Sequence, residues 1–237
     1  CPTGGRTPFA DPAFHDLGAC CGIIPTVTTL DAITVDLESL TLPTDLRGLF
    51  AQAGPIELEI GCGKGTFLLR QAKAHPDRNF LGIEWANKIY KYAADRMRRW
   101  GLKNVRVMRT DARHFVIHQL AADSLDALHI YHPDPWPKKR HHRRRLIQPS
   151  FIEAAIRAMK PGARLAIQTD HAEYFEQIEE VTRAFPQLKP IDWADENFGI
   201  VGEDIKTNFE IKYEREGRDF HRLAFRVEKN GDGNFQI

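Results

Sequence analysis

Two stretches of this chain bring together residue types that can do chemistry. The first is His132-Pro133-Asp134-Pro135-Trp136-Pro137, where three prolines in six positions fix the backbone without helix or ladder hydrogen bonds. Such stiffness lowers the entropy lost on ordering and suits the holding of one carboxylate and one indole in place. Asp134 can accept hydrogen bonds from a base edge or stabilise nearby positive charge. Trp136 can stack on a base or seal a pocket. The next eight residues, Lys138 to Arg145, are six Lys or Arg and two His. Such a run ordinarily lies on a solvated surface. Beside a candidate catalytic loop, Lys139, Arg140, Arg143, Arg144 and Arg145 read better as a track for phosphates.

The second stretch is Glu59-Ile-Gly61-Cys-Gly63-Lys-Gly65. Glycines at alternate positions let a backbone turn tightly and approach a ligand closely. A phosphate-cradling G-x-x-x-x-G-K-[ST] loop is excluded, because Leu58 stands five residues before Gly63 and Gly65 follows the lysine. The dinucleotide fingerprint G-x-G-x-x-G fails by one residue. The acidic-x-Gly-x-Gly-x-Gly loop of class I S-adenosylmethionine methyltransferases matches at every position. By itself such a loop also fits any strand–turn–helix corner. Glu84 and Asp111 add weight, as each closes or follows an apolar run. A carboxylate at the second strand end suits the paired hydroxyls of a ribose, since it only accepts. Asp111 with Ala112 would lie beside an adenine ring. Each acid alone also reads as a helix N-cap, but three at successive strand ends point to an adenosine-type cofactor.

These residues need a scaffold that delivers them to one edge. Apolar runs at Ile56–Ile60, Phe80–Ile83, Val105–Met108, Leu125–Tyr131 and Arg164–Thr169 predict buried parallel strands. Helical patterns fill the gaps over Thr66–Ala74, Ala86–Trp100, Ala112–Ala121, Ser150–Met159 and Ala172–Phe185, and Pro161–Gly162 is expected to separate a helix from the next strand. This alternation predicts a doubly wound α/β sheet. Phe220–Glu228 alternates polar and apolar residues, as a closing antiparallel strand would. No internal repeat is visible.

With these motifs assembled, the chain closely resembles the bacterial tRNA (guanine-N7-)-methyltransferases. The resemblance rests on Glu59 to Gly65, Gly82-Ile-Glu84, Asp111-Ala112, Pro133 to His141 with Arg144-Arg145-Leu146, Thr169-Asp170, and Thr207-Asn208-Phe209-Glu210, in that order from about residue 54 to 228. It implies a class I, Rossmann-like α/β fold with a mostly parallel, doubly wound seven-stranded sheet, helices on both faces and an antiparallel last strand. It also implies methylation of N7 of guanosine 46 in the tRNA variable loop, with S-adenosylmethionine as cofactor. Glu59, Gly61, Gly63, Gly65, Glu84, Asp111, Ala112 and Asp134 would then line the cofactor site, with Asp134 as the catalytic residue. Lys138, Asp170, Thr207, Asn208, Phe209 and Glu210 would contact the substrate. Two positions depart from the family pattern. Asn208 replaces a common lysine, for which Lys206 and Lys212 are candidate substitutes, and His132 stands where an aromatic or small residue is usual. The implied organisation is a leader of unassigned role over residues 1–50, the methyltransferase domain over 51–229, and a tail over 230–237. Residues 1–50 do not clearly show the basic N-terminal segment of many members.

Guanine N7 carries a lone pair and no proton, so its methylation needs no general base. The work is alignment and stabilisation of the cationic purine that forms. Two rival readings are an RNA methyltransferase for an exocyclic base amine and a non-catalytic RNA-binding protein on a nucleotide-binding fold. Against the first, Trp136 and Pro137 occupy the slots of the proline and the aromatic in an Asp/Asn-Pro-Pro-aromatic loop. Against the second, all three acids accompany the glycine loop.

The chain has 237 residues, 33 Lys or Arg against 32 Asp or Glu, and a net charge of +1. That balance conceals segregation: residues 86–145 hold 15 basic against 5 acidic residues, and residues 170–204 hold 2 against 10. A basic surface joining the Ala86–Trp100 helix to residues 138–145 is therefore expected to bind tRNA, with Met97 and Trp100 turned inward. No apolar stretch of about 18 residues is present, so no membrane span is expected. The cysteines Cys1, Cys20, Cys21 and Cys62 lack metal-ligand spacing, as do the histidines, and no metal site is expected. A cytoplasmic enzyme without an obligate protein partner is expected, with a homodimer left open.

Overall fold

The computed structural model describes residues 33–194 and 219–229. Its strands are β1 (Thr34–Val35), β2 (Ile56–Ile60), β3 (Asn79–Ile83), β4 (Val105–Met108), β5 (Leu125–Tyr131), β6 (Met159–Thr169), β7 (Leu188–Ile191) and β8 (His221–Val227). They form one sheet in the order β1-β4-β3-β2-β5-β6-β8-β7. Every pairing is parallel except those of β8, which runs antiparallel to both β6 and β7. This is the expected architecture with one more strand than the seven expected. β2 pairs with β3 on one side and with β5 on the other, so the chain changes direction across the sheet at β2. At such a switch point a crevice opens beyond the carboxyl ends of the strands.

Alternation along β2 divides the core. Ile56, Leu58 and Ile60 face one apolar cluster with residues of α4 (Pro149–Ala158) and α5 (Ala172–Arg183). A second cluster packs α1 (Thr66–Ala74) and α2 (Asn87–Arg99) on the opposite face, through Leu68, Leu69, Ala93 and Met97 against Phe80, Val105 and Val107. Gly82 lets α1 come close: a Cβ there would collide with the Leu68 side chain.

Several local expectations are corrected. Residues 33–50, expected to belong with the leader, include β1 on the sheet edge and the buried Leu46, Leu49 and Phe50. They fold in because these side chains complete the first cluster. Pro161 and Gly162 lie within β6, where pairing with β5 skips from Leu125↔Met159 to Ala127↔Arg164. They therefore form a bulge, with Gly162 at φ +83°. The expected helix from Ala112 shortens to α3 (Ala112–His114) and a π-helical turn over Phe115–Gln119, after which Leu120 bridges to Thr44. Met97 is buried, but Trp100 caps α2 and is 54% exposed, with the Lys73 ammonium 3.7 Å from its ring centre.

Candidate functional site

The glycine loop follows β2 and opens α1. Gly61, Gly63 and Gly65 all take left-handed φ values of +72°, +53° and +69°, a region costly for residues with a Cβ. A Cβ at Gly61 would meet nothing within 4 Å, so open space lies before the loop, whereas one at Gly65 would strike Met97 at 2.5 Å. Gly65 caps α1 without a side-chain hydrogen bond, leaving the first helical N–H groups uncapped. The loop is tied down from outside. Arg96 on α2 donates to Thr66 Oγ1 at 2.8 Å and to the Lys64 carbonyl at 3.2 Å.

Glu84, at the end of β3, accepts from Gly63 N at 3.0 Å through Oε2 and from Ala86 N at 2.8 Å through Oε1. It thus joins the glycine loop to the start of α2 and still has unfilled lone pairs. Glu59 is only 4% exposed, and its Oε2 has no hydrogen-bond partner. Burial, with the Glu84 charge adding to it, pushes its carboxyl up to about 8. Asp111 accepts from His114 N at 2.9 Å and therefore does cap α3.

These elements enclose a cavity of about 700 Å³ beyond the strand ends, a volume typical of small-molecule sites. Gly61, Gly63, Glu84 and Ala112 line it on one side, and Asp134 and Trp136 on the other. Glu59 is not among the residues that line it. A second cleft of about 700 Å³ continues from it, with Trp85, Asp111, Trp136, Arg143 and Arg144 at its edges. Trp85 is 66% exposed, with the Arg109 guanidinium 5.6 Å from its ring centre. Its position just after Glu84 was the only sequence signal for it. The buried orphan Oε2 of Glu59, the open space before Gly61 and the acceptor pair of Glu84 fit a cofactor with hydroxyl and ammonium donors.

The proline loop leaves β5 through a non-glycine residue at positive φ, His132 at +51°, and a second follows at Trp136, +44°. Such conformations cost of order 1 kcal/mol each and persist where surroundings fix them. His132 is fixed on both ring nitrogens. The Gln168 side-chain oxygen accepts from Arg222 Nε at 2.7 Å, so its amide N–H donates to His132 Nε2 at 2.9 Å. His132 Nδ1 then faces Asp170 Oδ1 at 3.5 Å. Because β6 pairs with β5 up to Tyr131↔Gln168, Asp170 lies beside the start of the loop.

The basic run folds as a short helical turn, Lys139–Arg144, that returns over the loop. The Arg144 guanidinium lies 4.9 Å from the centre of the Trp136 ring, and His141 meets the same ring edge-on at 5.9 Å. Lys138, Lys139, Arg140 and Arg143 are exposed. Arg145, expected on the tRNA backbone, is instead buried to 1% and inward-facing, with no surface left for a phosphate. Thr207, Asn208, Phe209 and Glu210 lie outside the described residues, as do Cys1, Cys20 and Cys21.

A buried polar group that sequence reasoning missed lies beneath the site. Glu57 pairs with Arg78 and His129, both at 2.8 Å, and His129 Nδ1 meets Tyr131 Oη at 3.0 Å. Burial alone would raise the Glu57 carboxyl, yet its hydrogen bonds to His129 and Arg78 hold it below the usual carboxylate range. Among the described residues, no group of three or more His, Cys, Asp or Glu could hold a metal, and no helix is long and apolar enough to cross a membrane.

Comparison with known proteins places the chain. A family described as "Putative methyltransferase" matches residues 53–223. The tRNA (guanine-N(7)-)-methyltransferase of Nitrosococcus oceani is 39% identical over 186 residues, covering 78% of this chain and 77% of the relative. That of Paraburkholderia xenovorans is 41% identical over 189 residues, covering 80% and 71%. Among solved structures, a SAM-dependent methyltransferase from Aquifex aeolicus shares the fold at a TM-score of 0.50 and 16% identity, covering 77% of this chain and 87% of that one.

Proposed function

Because the chain belongs to the tRNA (guanine-N(7)-)-methyltransferase family, we propose that it methylates N7 of guanosine 46 in the variable loop of tRNA, with S-adenosylmethionine as the donor. One observation carries the reading: the glycine loop with Glu84 and the proline loop with Asp134 line a single cavity. When bound, S-adenosylmethionine supplies an electrophilic methyl group on a positively charged sulfur.

The chain's own residues supply the rest. Gly61, Gly63 and Gly65 let the backbone approach the cofactor, and the free lone pairs of Glu84 accept from its ribose hydroxyls. Asp111 and Ala112 stand at the adenine end, and Glu59 offers its unpaired Oε2. Asp134 accepts from guanine N–H groups and offsets the charge that develops on the purine, with no proton removed from N7. Trp136 stacks on or encloses the base. Lys138 and Asp170 contact the substrate, together with Thr207, Asn208, Phe209 and Glu210. Lys139, Arg140, Arg143 and Arg144 meet the tRNA backbone. The reading needs no second protein chain, and it locates the enzyme in the cytoplasm.

The test is incubation with labelled S-adenosylmethionine and unmodified tRNA transcripts, followed by mapping of the labelled nucleotide. Label on N7 of guanosine 46 is expected. Transfer to an exocyclic amine or to another atom, or no transfer at all, would overturn the proposal.

A further inference from the structure

The last arginine of the basic run has no part in the surface its neighbours form. Arg145 Nε donates to the Pro135 carbonyl at 2.7 Å, and Nη1 donates to Gln177 Oε1 on α5, also at 2.7 Å. Its guanidinium lies 4.8 Å from the centre of the Tyr174 ring, and Nη2 is 3.5 Å from Glu173 Oε1. The platform beneath is itself braced. Gln177 Nε2 donates to the Ile147 carbonyl at 3.0 Å, and Ile147 N donates to Tyr174 Oη at 3.0 Å.

The anchored carbonyl belongs to the residue between Asp134 and Trp136. The prolines have no N–H with which to tie this loop, so apart from the amides of Asp134 and Trp136 its carbonyls are what remains for fixing it. Holding the Pro135 carbonyl sets the plane of the peptide that enters Trp136 at its positive φ. It thereby fixes the base-facing pair on either side. Stability alone is a weak reason for this arrangement. A buried guanidinium whose Nη2 lacks a hydrogen bond costs desolvation that an apolar side chain of similar length avoids.

We propose that Arg145 is a positioning residue that holds Asp134 and Trp136 in place for methyl transfer and makes no contact with tRNA phosphate. This rests on the reading of Asp134 given above. It predicts a rate effect without an affinity effect, because a displacement of about 1 Å at a reacting group costs on the order of 100-fold in rate.

Arg145→Met and Arg145→Lys, in the full chain, test it. The measurements are thermal midpoint, dissociation constants for S-adenosylmethionine and tRNA, the salt dependence of the latter, and the single-turnover rate at saturating tRNA. Expected for Arg145→Met is a rate lower by about 100-fold with both affinities within about 3-fold of wild type. Arg145→Lys should recover part of the rate, since an ammonium can reach the Pro135 carbonyl but cannot also span to Gln177. If Arg145→Met fails to fold, Gln177→Ala serves in its place, with an intermediate loss of rate expected. An unchanged saturating rate in these variants overturns the proposal. So does weakened tRNA binding with a salt slope reduced by about one, the signature of a lost phosphate contact. Wild-type protein in the same assay separates the two ideas: an active wild type with unimpaired variants sinks the positioning role alone, whereas an inactive wild type sinks the functional reading beneath it.

Discussion

The carboxylate of Glu84 accepts the backbone N–H of Gly63 at 3.0 Å. A residue at the end of β3 thus fixes the loop that follows β2, and its second oxygen does the same for Ala86 at the head of α2. Glu84→Ala is expected to release both amides and to weaken S-adenosylmethionine binding by about 10- to 100-fold, as loss of charge-assisted hydrogen bonds would. Glu84→Gln keeps one acceptor oxygen and should fall between. Calorimetric titration measures this, and an unaltered affinity in the alanine variant would remove Glu84 from the cofactor site.

Asp134 acts through charge and acceptance. Asp134→Asn keeps the shape and removes the charge, so cofactor affinity should hold while the saturating rate drops by about 100- to 1,000-fold. Single-turnover methylation of a tRNA transcript is the measurement. A fully active asparagine variant would contradict the role.

The exposed side chains of Lys139, Arg140 and Arg143 should set the salt dependence. Replacing all three by alanine is expected to lower the slope of log affinity for tRNA against log salt by about two to three, and to leave S-adenosylmethionine binding unchanged. Filter binding across a salt series reads the slope. A slope equal to that of wild type would place the tRNA elsewhere.

Glu59 links stability to pH. Its folded pKa of about 8 stands above the usual 4.5. Between those values the unfolded chain has released a proton that the folded chain retains, so its contribution to stability falls as pH rises. Glu59→Gln removes this linkage. Its stability relative to wild type should therefore rise by roughly 3 kcal/mol from pH 5 to pH 8. Denaturant titrations at the two pH values measure the difference, and a difference independent of pH would mean that Glu59 ionises normally in the fold.

What was legible in the sequence followed from period and from glycine. Four strands and α1 are marked by apolar runs with sharp edges, and the Gly61–Gly65 spacing requires a turn at the end of β2. Contiguous charge is a poorer signal. Nothing in Lys138 to Arg145 says which basic residue turns inward, because that depends on Tyr174, Gln177 and a carbonyl of the preceding loop, all meeting only in three dimensions. Trp100 misled for a related reason: a large aromatic after an apolar stripe suggests burial, but here the helix ends and the indole lies outside under Lys73. Pro161 and Gly162 read as a stop, yet a parallel strand absorbs them as a bulge. His132 gave no local hint that it would fall between Gln168 and Asp170, since those partners lie more than thirty residues away.

Three prolines in the loop after β5 also determine how its motion can be observed. Proline has no exchangeable amide, so between Pro133 and Pro137 the only two amide protons belong to Asp134 and Trp136. Amide spectroscopy of this loop therefore has two reporters, and they are the two residues assigned to the base. Any rearrangement as tRNA arrives would register directly at those residues, with no neighbouring signal to average it away.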